Sequence, residues 1–321
     1  MRDLLTIKTM ISPFQKINCG GRAPLARFAG ALILLVFVVG VQPVAAETGQ
    51  EPLQQAAADA NGGWEKLAEG LELGVFTAHL PSESGDSKLR VLRIDPQRYN
   101  LKLLNASAAE DGRPLSAKQW SRRHGLLAAI NASMYQADYK SSVSLMRTKS
   151  HVNNPRLSKD MAILAFDRKQ ISVPEVKIID RQCDDFDTWD KKYGTMIQSI
   201  RMISCTGKNV WTQQPQKWST AAIAIDDRGM VLFIHVGSPY STHDVIDILK
   251  RLPLNITRAM YVEGGPQAQL YIHVGDHEYD FVGSYDIEIQ GNIKKLISRP
   301  IPNVVGIILK PEQQMMPGES D

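Results

Sequence analysis

Short strand-like runs separated by turn residues recur along the chain after Trp64, and this pattern constrains the fold more than any other feature. The first three runs are LELGVFTAHL, KLRVLRID and YNLKLLNA, and the connections between them are PSESGDS and DPQR. Runs bounded by Gly, Pro, Asp and Ser are typical of neighbouring strands joined by turns. Further runs of this kind are LLAAIN, MAILAFD, VKIIDR, AQLYIHV and NVVGIILK. The sequence therefore predicts a core built mainly of β-sheet.

Helix signals are few by comparison. Ser116 can cap a helix over SAKQWSRRHG that ends at Gly125. Ser241 can cap a second helix over YSTHDVIDILKRL, with Asp244 at the third helical position. The segment DDFDTWDKKYG predicts a third, short acidic helix ending at Gly194. A few helices among many strands indicate an α+β or mixed fold.

The central part of the chain also predicts a β-hairpin, within STAAIAIDDRGMVLFIHVG, whose turn is Asp227-Arg228-Gly229. A chain of 321 residues with 43% hydrophobic content is long enough to bury a large core. We therefore expect a single large domain over residues 64–312, with a strand-rich sheet core, followed by a tail at 313–321.

The N-terminal segment has the layout of a secretory signal. An unbroken apolar run from Phe28 to Val41 follows a basic leader, and Val44-Ala45-Ala46 offers a cleavage site. The prediction is a signal peptide over residues 1–46 and a Gln-, Ala- and Gly-rich linker over 47–63. The alternative is an uncleaved anchor, because about 20 apolar residues span a bilayer. Both interpretations export the protein to the periplasm or beyond, with membrane contact only through this segment.

The charge distribution argues against nucleic acid as a partner. The formal net charge is +3. The basic excess is concentrated in the leader, and the remainder is close to neutral, without the clustered basic face that nucleic-acid binding needs.

Two cysteines, Cys183 and Cys205, follow the leader. An even pair in an exported protein indicates a disulfide, and the alternative is two unpaired thiols. Neither cysteine has a second Cys or His at ligand spacing, so we expect no zinc site. The sequence identifies no cofactor.

Two apolar runs end in a polar residue that enters a turn of small residues, AAINASMY at Asn131 and AMYVEGGPQ at Glu263. Ligands collect at strand ends, where a carboxylate beside Gly264 and Gly265 could act as a general base, a nucleophile or a metal ligand. The plainer alternatives are a solvent-exposed Glu in a tight turn and an Asn that satisfies local backbone groups.

Three further hypotheses involve isolated side chains. A metal site could combine Glu263 with Asp226 or Asp227, although Asp is common in hairpin turns for other reasons. His151 and His235 are candidate acid–base groups, and His235 is preferred because it lies near a strand end. No G-x-S-x-G, G-x-x-x-x-G-K or H-E-x-x-H motif is present, which excludes the commonest serine hydrolase, nucleotide and zinc-protease sites.

The order of these motifs between Leu89 and Lys310 resembles the phosphodiester glycosidase family, which includes an enzyme that removes N-acetylglucosamine from a sugar-phosphate diester. The quoted segments that carry the resemblance are AAINASMY, MAILAFD, TMIQSIRMISCTGKNVW, WSTAAIAIDDRGMVLFIHVG and AMYVEGGPQAQLYI. The chain departs from the family pattern in four places. Glu263 replaces an Asp, Pro266 a Gly, Gln267 a hydroxyl residue and Ser219 an Arg.

The resemblance implies an exported hydrolase that cleaves a sugar-phosphate diester of the cell envelope or of an extracellular polysaccharide. It makes Glu263 the catalytic carboxylate, because glycosidic cleavage passes through an oxocarbenium-like state. The substrate-binding candidates are Asn131, Ser133, Tyr135, Arg147, His151, His235, Gly264 and Gly265, with Lys149 beside the basic pair. An active site would place Glu263 and Asn131 in one pocket with a basic side chain. The alternative is a non-catalytic glycan-binding module of the same fold.

Overall fold

The computed structural model describes residues 63–284 and 298–311. These residues form two β-sheets and three α-helices, which confirms the expected α+β fold with a strand-rich core in a single domain. The signal peptide at 1–46, nearly all of the linker and the tail at 313–321 lie outside the described residues.

Across the part of the chain that the structure describes, none of the helices is both long enough and apolar enough to span a membrane.

The strands are numbered in chain order. They are β1 Trp64–Ala68, β2 Leu71–Thr77, β3 Lys88–Ile94, β4 Tyr99–Asn105, β5 Ala128–Asn131, β6 Met146–Arg147, β7 Val152–Asn154, β8 Ala162–Arg168, β9 Lys177–Asp180, β10 Tyr193–Ile203, β11 Trp218–Asp226, β12 Val231–Tyr240, β13 Ile256–Gly264, β14 Gln269–Val274, β15 His277–Val282 and β16 Asn303–Leu309. The helices are α1 Ala117–His124, α2 Phe186–Asp190 and α3 Thr242–Arg251, and 3₁₀ turns cover Ala106–Ala108 and Gly265–Gln267.

Both sheets are antiparallel throughout. The larger has eleven strands, in the order β1-β2-β3-β12-β11-β13-β10-β6-β7, with β8 beside β10 and β9 beside β8. The smaller has five strands, in the order β15-β14-β5-β16-β4. The predicted hairpin is the β11–β12 pair at the centre of the larger sheet.

The main hydrophobic core lies where the two sheets pack face to face. Its fully buried side chains include Leu92 and Phe233 from the larger sheet and Ile130 and Leu270 from the smaller one. Alternate residues of these strands face the opposite side, as strand geometry requires. Each outer face therefore needs cover from a helix or loop.

The two longer helices supply that cover. Helix α3 packs Val245 and Leu249 into a second apolar cluster on the larger sheet. Helix α1 packs Trp120 into a third cluster on the smaller sheet, where the indole Nε1–H donates to the Ile301 carbonyl at 2.9 Å. The fold is thus layered as helix, sheet, sheet and helix.

The helix boundaries follow the capping residues in two cases. The Ser116 side chain accepts a hydrogen bond from the backbone of Gln119, and Gly125 ends α1 with a left-handed φ of 62°. The Ser241 side chain accepts from the Asp244 backbone at the start of α3. Both predictions are confirmed.

The third helix is shorter than expected. Helix α2 ends at Asp190, and Gly194 lies inside β10. The reason is burial of Tyr193, which is fully inaccessible, pairs with Arg168 on β8 and donates its hydroxyl to the Pro174 carbonyl at 2.8 Å. Strand pairing therefore begins before the helix can continue.

A disulfide joins Cys183, just after β9, to Cys205, just after β10. It lies beside the buried carboxylate of Asp180, which accepts from the Cys205 N–H at 2.8 Å and from the Arg201 guanidinium at 2.7 Å. The expected disulfide is present, and it ties the ends of two strands of the larger sheet.

The chain crosses from the larger sheet to the smaller one in a single short step. Strand β13 ends at Gly264, the 3₁₀ turn covers Gly265–Gln267, and β14 begins the next sheet at Gln269. Glu263 therefore stands at the junction of the two sheets.

Candidate active site

Glu263 belongs to a row of paired residues that crosses four strands. It pairs with Ala221 on β11, Ala221 pairs with His235 on β12, and His235 pairs with Arg90 on β3. Directly paired residues in an antiparallel sheet project from the same face. Strands lie about 4.8 Å apart, so His235 and Glu263 are two strand spacings apart, with only the Ala221 methyl group between them.

The environment of the Glu263 carboxyl favours its neutral form. The residue is partly exposed, but burial of the carboxyl raises its pKa from 4.5 to about 7. The Gly264 N–H donates to Oε1 at 3.0 Å and opposes part of that rise. Among the described residues no cationic side chain contributes to the pKa of this group. The carboxyl can therefore gain or lose a proton near neutral pH.

Close packing around the turn explains its glycines. A Cβ at position 264 would lie 1.9 Å from the Tyr261 hydroxyl and 2.9 Å from the Trp218 ring. Gly265 adopts a φ of 61°, in the left-handed region that favours glycine. Pro266 lies at the start of the 3₁₀ turn, where a missing N–H leaves no intrahelical bond unmade.

Asn131 holds this turn in place. Its buried side chain donates from Nδ2 to the Gln267 carbonyl at 2.9 Å and accepts at Oδ1 from the Gln269 N–H at 2.8 Å. These two bonds hold the end of the crossing, on either side of Ala268. The structure thus brings Asn131 and Glu263 to the same junction, with Asn131 bound to the backbone beyond the glycines.

Ser133 is linked to β13, the strand that carries Glu263, through Ser199. Its hydroxyl donates to the Gln198 carbonyl at 3.1 Å and lies 3.2 Å from the Ser199 hydroxyl. Ser199 in turn donates to the Tyr261 carbonyl on β13. Ser133 is therefore buried in a network behind the strand that carries Glu263.

Tyr135 lies beside a second tyrosine. It is partly buried, and its ring centroid lies 5.5 Å from that of Tyr139, which is 59% exposed.

His235 is buried and uncharged at neutral pH. Burial, assisted by the nearby Arg90 guanidinium, lowers its pKa to about 4. Nε2 lies 3.3 Å from the Ala268 carbonyl, and the ring stacks on Phe281 at 6.0 Å between centroids. Nδ1 is buried and has no hydrogen-bond partner among the described residues.

In the structure Arg147 and His151 have partners other than Glu263. Arg147 pairs with Asp190 at 2.5 Å and donates to the Gly194 carbonyl at 3.3 Å. His151 Nε2 lies 2.9 Å from the Ser107 hydroxyl, beside a cavity of about 450 Å³ that Glu263 and Asn131 do not line.

Asp226 and Asp227 also lie apart from Glu263. Asp226 ends β11, five residues beyond the Ala221 that pairs with Glu263. At about 3.4 Å per residue this is about 17 Å along the strand. Its carboxylate accepts from the Arg228 and Met230 N–H groups and so closes the hairpin turn.

Sequence reasoning assigned no role in the site to two of its residues, Arg90 and Ser219. Arg90 lies in the run KLRVLRID, and only the sheet register reveals its place beside His235. Ser219, where the family has Arg, donates to the Gly237 carbonyl at 2.5 Å and accepts from the Ser284 N–H at 2.7 Å. These bonds hold the segment at Gly283–Ser284 next to the 3₁₀ turn that follows Glu263.

Comparison with known proteins identifies relatives of this fold. A family model described as phosphodiester glycosidase matches residues 124–308, more than half of the chain. No curated protein matches the sequence.

Two solved structures resemble the fold. One is the catalytic domain of zebrafish N-acetylglucosamine-1-phosphodiester alpha-N-acetylglucosaminidase, auto-inhibited by its pro-peptide. It is 14% identical, with a TM-score of 0.51, and the match covers 77% of this chain and 86% of that one. The other is a hypothetical protein from Synechocystis, 12% identical, with a TM-score of 0.52 and coverage of 78% and 64%. At these identities the likeness concerns the fold alone.

Replacement of Asn131 tests its role at the junction. In Asn131→Ala the Gln267 carbonyl and the Gln269 N–H lose their partner, and an unsatisfied buried group costs about 1–3 kcal/mol. We expect urea denaturation to show a loss of about 2–4 kcal/mol in the free energy of unfolding. Asn100→Ala, at a partly exposed position of β4, should change it by less than about 0.5 kcal/mol. Equal effects of the two changes would show that Asn131 does not anchor the turn.

The raised pKa of Glu263 predicts a pH-dependent stability difference from Glu263→Gln. Because the folded pKa lies above the unfolded value, the contribution of Glu263 is full below pH 4.5 and is lost as the pH rises through about 7. The free energy of unfolding of the Gln variant should therefore rise relative to that of the wild type over this pH range, by about 3 kcal/mol at most. His235 has the opposite shift but is present in both proteins, so its effect cancels. A difference that does not change with pH would contradict the desolvated carboxyl.

Proposed function

The chain belongs to the phosphodiester glycosidase family, and we propose that it hydrolyses a sugar-phosphate diester of the cell envelope or of an extracellular polysaccharide. The observation that carries this proposal is the desolvated carboxyl of Glu263 at the junction of two sheets. A carboxyl whose pKa lies near neutrality suits proton transfer better than an ordinary surface glutamate.

The proposed reaction breaks the bond between the anomeric carbon and a phosphate oxygen. Water supplies the incoming oxygen, and ionised Glu263 takes a proton from that water as general base. The phosphate is a good leaving group, so the reaction needs little help from an acid. The oxocarbenium-like charge that develops on the sugar is stabilised by the same carboxylate.

The turn supports this role by fixing the position of the carboxylate. A displacement of about 1 Å at a reacting group can cost about 100-fold in rate. The Gly264 N–H restrains the carboxylate itself, and Asn131 restrains the turn that follows it, while Gly265 allows the tight backbone path. The longer side chain of Glu relative to the family's Asp is thus accompanied by a turn that Pro266 stiffens.

A second candidate function is binding of a glycan without hydrolysis. It is favoured by the internal use of polar groups that the family resemblance assigns to substrate. The Asn131 and Ser133 side chains bind the protein itself, and Arg147 is paired with Asp190.

We also propose that the protein is exported by its N-terminal segment, cleaved or retained as an anchor. The Cys183–Cys205 disulfide supports this, because disulfides persist in oxidising compartments.

An activity assay on a panel of sugar 1-phosphodiesters tests the proposal. We expect release of sugar by the purified protein and a loss of at least about 100-fold in kcat/KM for Glu263→Gln. Because the ionised form acts as the base, kcat/KM of the wild type should rise with pH and level off above about 7. Glu110→Gln, a change at an exposed glutamate, is the matched control and should leave activity unchanged.

Retained activity in Glu263→Gln would show that another group is the base. Glycan binding without cleavage of any diester would favour the second candidate function.

A further inference from the structure

A small cavity of about 260 Å³ lies on the same sheet face as Glu263, at the other end of the row of paired residues. It is enclosed by β3, β12 and the end of β15. Its lining includes Asp86, Arg90, His235, Gly237, Phe281 and Ser284. Glu263 does not line it, so the cavity is separate from the carboxyl that the proposed reaction uses. Its volume lies just below the range of drug-sized pockets and suits one small ligand.

His235 gives this cavity an unused hydrogen-bond acceptor. Nε2 faces the Ala268 carbonyl and therefore carries the proton in the neutral ring. Nδ1 is then an acceptor, and it is buried without a partner among the described residues. A buried polar atom left unpaired costs free energy, so Nδ1 is available to accept a hydrogen bond from a hydroxyl donor.

One cationic and two acidic side chains line the cavity, Arg90, Asp86 and Asp280, and burial raises the pKa of the Asp280 carboxyl. The Arg90 guanidinium forms a two-pronged ion pair with Asp86, with Nη1 donating to Oδ1 at 3.1 Å and Nη2 donating to Oδ2. His235 is neutral because burial and Arg90 lower its pKa to about 4. An anion entering this site would have to compete with Asp86 for Arg90 and would also face Asp280, so the lining disfavours an anionic ligand.

The rest of the cavity lining includes the apolar ring of Phe281 and Gly237, which has no side chain. The Phe281 ring stacks on His235 and lies 5.3 Å from the Arg90 Cζ. Gly237 forms the floor, where a Cβ would lie 3.6 Å from His235 Cε1 and 3.9 Å from Arg90 Nη1. These are ordinary contact distances, so a methyl group fits the protein and occupies the space between the two polar side chains.

We infer that this cavity binds one uncharged sugar ring, whose hydroxyl donates to His235 Nδ1 while the Arg90–Asp86 pair binds a neighbouring hydroxyl. An aromatic wall with a few convergent polar groups is the usual composition of such a site. The assignment rests on the proposed function for the choice of a sugar as the ligand class. It does not require Glu263 to be catalytic.

Saturation-transfer NMR and shift titration with simple glycosides test this inference. The neutral probes are methyl α-D-glucopyranoside and methyl N-acetyl-α-D-glucosaminide, and the anionic comparators are glucose 1-phosphate and methyl glucuronide. We expect the full-length wild type to bind at least one neutral probe more tightly than its anionic comparator. Gly237→Ala should weaken that binding by at least about tenfold, with an unchanged thermal midpoint.

A second variant guards against an effect of Gly237→Ala on folding. His235→Phe keeps a ring against Phe281 but removes the acceptor, and it should also weaken binding. Glu263→Gln should bind the probe as the wild type does, so loss of hydrolysis and loss of sugar binding are separable. Wild-type binding in Gly237→Ala, tighter binding of an anionic probe, or no binding of either neutral probe would overturn the inference.

Discussion

The two hydrogen bonds of the Asn131 side chain are the interaction on which the site depends. They fix the backbone at the end of the step from the larger sheet to the smaller one, where the turn passes into β14. Because β5, which carries Asn131, is the central strand of the smaller sheet, the turn is tied to a rigid element and not to a loop. The position of Glu263 thus follows from how the two sheets are joined, and the core between the sheets stabilises the site as well as the fold.

Burial also shifts the pKa values of two groups on one sheet face in opposite directions. Burial disfavours the charged form of any group. It therefore raises the pKa of Glu263 to about 7 and, with Arg90, lowers that of His235 to about 4. Near neutral pH the carboxyl can exchange a proton, while the imidazole stays neutral and can accept a hydrogen bond. Ala221, which is fully buried in the core, lies between them. The proposed hydrolysis and the proposed sugar pocket use these two ends of the row.

Local features of the fold could be predicted from the sequence, and non-local ones could not. The caps at Ser116 and Ser241 depend on a few adjacent residues, and the structure confirms them. The strand that carries Glu263 could likewise be predicted from an apolar run before two glycines. The row that joins Arg90 to His235 depends on the register between distant strands, and alternation alone does not give that register. For the same reason, motif order could not show that Arg147, on β6, pairs with Asp190.

The central claim is that the protein holds the Glu263 carboxyl out of water at the sheet junction. Its most direct test is a ¹³C NMR titration of the glutamate side-chain carboxyl groups, with the Glu263 signal assigned by its absence in Glu263→Gln. The structure predicts a midpoint near pH 7 for this one signal. A midpoint near 4.5, the usual value for glutamate, would show a solvated carboxylate in a tight turn and would contradict the account.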